Sequence, residues 1–508
     1  MVLGTFPEGS GNRKPETFSW GGVNMDRDHN LPDVCEAGIK DLQERMSRGE
    51  TSSRDLVKAY LDRIARYDKA GPRLNSILEV NPDAVFIAEA LDLERARKGP
   101  RGPLHGIPIV VKDNIDTDDK MHTSAGSLAL AESYASRDSF VAQKLREAGA
   151  VILGKSNMTE WANFMTEGMP NGYSSRGGQV LNPYGPGRLD VGGSSSGSGA
   201  AVAASLAAAG IGTETHGSIL SPSSSNGLVG IKPTVGLISR SGIIPISHVQ
   251  DTAGPMTRCV EDAAVLLGAL TGVDERDPAT WRSEGFYHKD YTQFLDRDGL
   301  KGRRIGIPLD DYGKLDEERA ALVKAAEEAL KDLGATVVDI SPDRPQGWTS
   351  RSLTYEFKPA INAYLSALAP HIPVHSLKEV IEFNKQNPYK MLRYGQTTFL
   401  AAEATSGTLT EPEYIRLRAQ DDYLSREKGI DYVLGKYELD ALVYPGIGCT
   451  TLAARSGYPA ITVPIGVTQE SRPVAITLTA KAWSEPLLLA MAYAFERATS
   501  FRKPPVLD

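Results

Sequence analysis

Two serine-bearing glycine loops and one lysine stand out in this chain for the chemistry their side chains offer. Between Val191 and Thr234 the sequence reads VGGSSSGSGAAVAASLAAAGIGTETHGSILSPSSSNGLVGIKPT, and upstream IPIVVKDNID carries Lys112 at the end of an apolar run. A serine hydroxyl is a poor nucleophile at neutral pH and needs a partner to take its proton. A lysine can be that partner only if its amine is held neutral, which takes a downward shift of about three pKa units, on the order of 4 kcal/mol. The apolar residues before Lys112 supply such an environment. Gly/Ser-rich composition often marks a flexible linker, but here IVV, AAVAASLAAAGIG and LVGI flank the loops and place them inside a packed domain. Glycine turns in that setting let backbone amides face a ligand.

The elements that hold these loops follow from the spacing of apolar residues. Ile39, Leu42 and Met46, then Leu56, Ala59, Tyr60 and Ile64, fit amphipathic helices within 34–66, interrupted over 49–53 with a cap at 51–54. A helix over 84–98 follows, then GIPIVVKD as a buried strand, SFVAQKLREAGA as a helix and AVILGKSN as a strand. This alternation predicts an α/β fold: a single large α/β/α layered domain with a twisted mixed sheet and helices on both faces. The alanine-rich stretch 199–210 reads as a helix whose start carries the Ser194 loop, its dipole favouring the loop or a nearby oxyanion. Further on come a strand over 300–308, a helix over 317–333 and a strand over 335–340. Helices over 355–368 and 412–435 are expected to cap the pocket mouth. ALVYP, AITVPIG and VAITLTA then return to the sheet, closed by a helix over 485–499. The expected organisation is a polar, flexible segment over 1–30 and one domain over 31–508. Within that domain lie N-terminal helices (31–98), a core (99–270), an αβ unit with helical cap (300–440), and returning strands with a last helix (441–508).

The motifs VVKDN, GGSSSGS, GTETHGSIL and GIKPT, in that order, resemble the amidase signature family, whose pattern is a lysine after a strand, a GGSSxGS loop, a GTDTGGSIR-like loop and a GLKPT-like strand. RGPLHGIP, GKSNMTEWANF, SRSGIIPISHVQDTAGPM, SGYPAITVPIG and SEPLLLAMAYAFERATSFRKPP extend the similarity over most of the chain from about Cys35 onward. In look it is nearest to stand-alone bacterial-type amidases resembling peptide amidase. The resemblance implies Ser218 as nucleophile, Ser194 as bridging serine and Lys112 as base, with a cis peptide between Gly193 and Ser194. The implied reaction is two-step acyl transfer: Ser218 attacks a carboxamide carbon, the amine leaves with a proton relayed from Lys112 through Ser194, and water hydrolyses the acyl-enzyme. The turn Thr215, His216, Gly217, Ser218 reads as the oxyanion hole. Gln250 and Asp251 match a family segment close to the active site. No metal or cofactor is required.

Two departures from the family pattern carry information. His216 competes as a general base, but it sits two residues before Ser218 and no acid in the sequence obviously orients it, which favours a pocket-wall or surface residue. Leu220 stands where much of the family, and the tRNA-dependent amidotransferase branch, has arginine. A leucine offers nothing to a substrate carboxylate, so the acyl part next to the scissile bond is expected to be neutral and apolar; the competing reading makes Leu220 a core residue. The expected substrates are neutral carboxamides, including anilides, peptide C-terminal amides or carbamates; the alternative is a partner-dependent glutaminase of the amidotransferase A type. The connection PGIGCTTLAARSGYPA is shorter than in relatives resembling peptide C-terminal amidases, which widens the pocket on that side, and Ala475 stands where glycine is common.

Neighbouring residues take lesser parts. Asp113 and Asn114 either hold Lys112 or close the turn after it. Ser195, Ser196 and Ser198 are expected to bond backbone, and Arg176 to anchor backbone carbonyls. Tyr173 and Trp161 either line the acyl pocket or are core aromatics.

Gross properties fit a small-molecule enzyme. Lys plus Arg is 56 against Asp plus Glu 64, a formal charge of −8, with no block of like charge, which disfavours nucleic acid and anionic membranes as partners. Cys35, Cys259 and Cys449 match no metal spacing and cannot all pair, which suits a reducing compartment. No apolar run reaches the ~18 residues that span a bilayer, and the first residues lack the charged and apolar regions of a leader. A cytoplasmic monomer or homodimer acting on a small amide is the expectation.

Overall fold

The computed structural model describes residues 31–308, 310–311, 315–341 and 348–507. The first strands in chain order are β1 (Ile77–Val80), β2 (Pro108–Lys112), β3 (Val151–Ser156), and the short pair β4 (Tyr173–Ser174) and β5 (Gly178–Gln179). Next come β6 (Ala209–Glu214), β7 (Val229–Lys232) and β8 (Thr252–Thr257). The last are β9 (Arg304–Pro308), β10 (Thr336–Ile340), β11 (Ala441–Pro445), β12 (Ala460–Val467) and β13 (Pro473–Thr479). Eleven of these form one sheet in the order β1-β3-β2-β6-β8-β7-β12-β13-β11-β9-β10, with β4 and β5 paired separately.

The sheet is mixed. β2 runs parallel to both β3 and β6, and β9 parallel to β10 and β11, while β8, β7, β12 and β13 join in antiparallel pairs between them. Strands β2, β3, β6, β7 and β8 are buried at every residue. Such burial requires cover on both faces and explains why apolar and small residues fill these strands up to Lys112, Lys155, Glu214 and Lys232 at or near their ends. The described part of Pro32–Asp508 belongs to one compact unit.

Local signals set most helix boundaries. Ser52 caps the helix Ser53–Arg63, its hydroxyl accepting from the Asp55 N–H. The helices Ala84–Lys98 and Glu485–Thr499 start and stop where the spacing places them. The alanine-rich stretch is different: it is not one helix over 199–210. A buried helix, Ser196–Ala203, ends there, Ser205 turns with a φ of 52°, and the chain becomes β6. Alanine's preference for helix gives way because pairing inside a covered sheet outweighs tenths of a kcal/mol per residue.

The helical cap comprises Arg351–Leu365 and Pro412–Asp422, the latter continuing through a π-helical stretch into Asp431–Lys436. Phe357, Ile361 and Leu365 of the cap pack with Met158, Trp161 and Met165, which precede the Ser194 loop. Among the described residues no helix is long and apolar enough to cross a membrane. The segment expected to be flexible, 1–30, lies outside the described residues.

Candidate active site

The parallel register of β2 and β6 brings Lys112 to the glycine loops. Ile109, Val110 and Val111 pair with Ala209, Gly210 and Ile211, so both strands end at the same rim, the side where open α/β sheets receive ligands. Lys112 closes β2. Thr213 and Glu214 close β6, and the turn bearing Ser218 follows at once.

Lys112 is fully buried. Its Nζ lies 2.8 Å from Ser194 Oγ, 2.9 Å from Thr213 Oγ1 and 3.2 Å from the Thr213 carbonyl. Burial pushes its pKa down to about 7, against the opposing pull of the Glu214 and Asp251 carboxylates. Asn114 donates through Nδ2 to Thr213 Oγ1 at 3.0 Å, so it holds the lysine's partner. Asp113 serves the turn instead: its carboxylate accepts from the Ser124 hydroxyl and, at 2.8 Å, from the Gly126 N–H.

The peptide between Gly193 and Ser194 is cis. Gly192 has a φ of +70°, and a Cβ there would lie 2.7 Å from the Pro222 backbone, so only glycine fits this approach of the two loops. The Ser195 N–H donates to the Ser218 carbonyl at 3.2 Å, which ties the loops together. Ser195 Oγ donates to the Thr213 carbonyl at 3.1 Å, Ser196 Oγ to Gly192 at 2.6 Å and Ser198 Oγ to Ile211 at 3.1 Å, all backbone partners as expected.

Glu214 organises the turn that carries Ser218. Its carboxylate accepts from the N–H groups of Gly217 (2.8 Å), Ile219 (2.7 Å) and Leu220 (3.0 Å). This corrects one expectation: the Gly217 amide is bound to Glu214 and is not turned to the cleft, while among the described residues no hydrogen bond engages the N–H of Thr215, His216 or Ser218. Thr215 is held on two sides, its hydroxyl donating to Asp251 at 2.5 Å and its carbonyl accepting from Gln250 Nε2 at 3.1 Å. Ser218 is only 8% exposed. Among the described residues no hydrogen bond joins its hydroxyl to Ser194; contacts between candidate catalytic groups are often long before substrate binds.

His216 is exposed, and its Nε2 meets the Thr451 hydroxyl at 3.0 Å rather than a carboxylate. Leu220, read from sequence either as facing the acyl pocket or as core, is fully buried in an apolar cluster with Tyr444, Cys449 and Ala453, the core alternative. It opens the first turn of Leu220–Ser225, and that turn faces the core. Arg176 does not anchor carbonyls. It donates to Ser124 Oγ and Glu79, each at 3.0 Å, and stands 3.7 Å from Asp113, because the carboxylates beside it, one of them fully buried, are stronger acceptors. Trp161 is a core aromatic at 5.7 Å from Phe399, and Tyr173 is half-buried, edge-on to Tyr394 at 4.9 Å. Thr213 and Glu214 were missed by sequence reasoning; a hydroxyl and a carboxylate at the very end of a buried strand were the available signal.

Two cavities take lining from the chain on either side of Ser218: Thr213, Glu214 and Thr215 in one and Ser221 in the other. One of about 330 Å³ has Asn114, Thr213, Thr215 and Asp251 in its wall. The other, about 580 Å³, is lined by Ser221, Gly446, Ile447 and Ala475, on the side where the β11–β12 connection lies.

A family model named Amidase matches residues 55–489. The chain belongs to the Amidase family. It is thus an amide-hydrolysing enzyme. A probable amidase of Arabidopsis thaliana is 42% identical over 93% of this chain and 92% of its own length. The solved peptide amidase of Stenotrophomonas maltophilia is 45% identical, with a TM-score of 0.88 over 94% of this chain and 99% of that one. From Nitratidesulfovibrio vulgaris, the A component of a glutamyl-tRNA(Gln) amidotransferase is 33% identical over 90% of this chain and 96% of its length.

Proposed function

We propose that this amidase hydrolyses neutral carboxamides through a seryl acyl-enzyme, with Ser218 as nucleophile, Ser194 as proton relay and Lys112 as base. The observation that carries the reading is the buried Lys112 amine, with its pKa lowered to about 7, at 2.8 Å from Ser194 Oγ. When neutral, the amine donates its two hydrogens to the Thr213 carbonyl and hydroxyl, and its lone pair is left for the Ser194 hydroxyl. As Ser218 Oγ attacks the amide carbon, its proton passes to Ser194 and the Ser194 proton to Lys112. The N–H groups of Thr215, His216 and Ser218 receive the oxyanion. Collapse breaks the C–N bond, the proton returns by the same route to the departing nitrogen, and water repeats the sequence on the ester to release the acid.

Buried Leu220 and the absence of a guanidinium there support a neutral acyl group and weigh against free glutamine, hence against the partner-dependent glutaminase reading. Peptide C-terminal amides enter the candidate list through the likeness to peptide amidase, alongside anilides and carbamates. A screen for ammonia and aniline release over neutral amides, anilides and carbamates, with Ser218→Ala as control, tests the proposal. Hydrolysis is expected from the wild type alone; identical traces from both proteins across the panel would sink it.

A further inference from the structure

A buried chain of hydrogen bonds runs from the helical cap to the nucleophile turn. Glu356, on Arg351–Leu365, is 4% exposed. One of its oxygens accepts from the Ser247 hydroxyl, and the other accepts from Tyr414 Oη at 3.1 Å with Arg418 Nε 3.6 Å away. Ser247 Oγ itself accepts the N–H groups of Val249 (3.1 Å) and Gln250 (3.2 Å), so its one hydrogen is free for Glu356. The N–H groups of Ile246 and Ser247 donate to Asp251 Oδ2 at 2.8 and 2.9 Å. Asp251 Oδ1 takes the Thr215 hydroxyl, and Gln250 takes the Thr215 carbonyl. In a trans peptide the carbonyl and the next N–H point in opposite directions. Holding the Thr215 carbonyl therefore aims the His216 N–H.

We propose that Glu356 is a positioning residue for the reaction: from the cap, through Ser247, it fixes the 246–251 loop and with it the amides of the Thr215–Ser218 turn. The inference rests on the reading of Ser218 as nucleophile and of that turn as its oxyanion hole. Among the described residues Glu356 is the acceptor recorded for the Ser247 hydroxyl hydrogen, while the two backbone donors occupy its lone pairs.

The test uses a fluorophosphonate probe, which phosphonylates an activated serine without needing the natural amide, and resolves its maximal rate from its apparent affinity. Glu356→Ala is expected to slow Ser218 labelling about 10-fold or more, since displacements near 1 Å have effects of that order or larger, with apparent affinity within about two-fold. Glu356→Gln, which keeps an acceptor for Ser247, should recover most of the rate. Ser247→Ala should match Glu356→Ala, and the double variant should be no slower than either. Wild-type rates in both single variants, a loss in affinity alone, additive losses, or a Gln variant no better than Ala would each overturn the proposal. If Glu356→Ala does not fold, Ser247→Ala, smaller by one oxygen, decides. A wild type that labels at Ser218 but hydrolyses nothing in the amide screen refutes the substrate reading and leaves this inference standing; a wild type that does not label overturns both.

Discussion

Lys112 Nζ and Ser194 Oγ are 2.8 Å apart although 82 positions separate the two residues in the chain. Two parallel strands and a glycine loop make that contact, and the amine at its centre has been driven by burial to a pKa of about 7. Activity governed by this base should rise through neutral pH as the ammonium loses its proton. A kcat/KM profile is expected to show a limb near pH 7 that Lys112→Ala abolishes, with activity down at least ~10³-fold. An acidic optimum in the wild type contradicts the assignment.

The same amine leaves a mark on stability. Between about pH 7 and the usual lysine value of 10.5, the unfolded chain keeps a proton that the folded chain has released. Stability rises with pH wherever the unfolded state binds more protons, here by up to about 1.4 kcal/mol per pH unit. The contribution is complete above the unfolded value and lost as pH falls toward 7. Denaturant titrations from pH 7 to 10 should therefore show Lys112→Met gaining on the wild type as pH falls; parallel curves would mean that the native lysine is charged.

Glu214 satisfies three buried N–H groups at once. Glu214→Ala strands all three, at about 1–3 kcal/mol for each buried donor left bare, so a loss of several kcal/mol and a lower melting temperature are expected. Glu214→Gln keeps one acceptor oxygen and should fall between. Thermal unfolding with kcat in parallel checks both, and an Ala variant as stable as wild type refutes the clamp.

His216 faces Thr451 and solvent, not a carboxylate. His216→Ala should retain activity within about ten-fold, because no orienting acid completes a histidine base. A defect as deep as that of Ser218→Ala in the same assay makes the imidazole the base.

Free glutamine should be a poor substrate beside an apolar amide of similar size. Leu220 is buried in the core and carries no charge, so it offers nothing to a substrate carboxylate. Ammonia release from glutamine at a kcat/KM equal to the best neutral amide would reverse the substrate reading.

Lys112, Ser194 and Ser218 could be picked out in sequence as candidates because each sits in a local motif between apolar runs, and the strand carrying Lys112 could be drawn from IPIVVK alone. The helices with caps and regular spacing were equally readable. β8 was not: TAGPMT contains glycine and proline, and only its place between β6 and β7 makes it a strand. The alanine-rich stretch misled for a related reason, since alanine carries no side-chain pattern to separate a short helix from a covered strand. Glu214 and Glu356 stayed hidden because their importance lies in partners chosen by the fold, backbone amides in one case and a serine 109 positions away in the other.

The clamp formed by Glu214 is closed while the protein folds, long before any amide arrives. Substrate binding is then not needed to fix the backbone of that turn, and a good and a bad substrate meet the same Glu214-held amides there. Discrimination then falls to the walls farther out, so exchanging cap segments among relatives should alter which amides are accepted while leaving Ser218 as reactive as before.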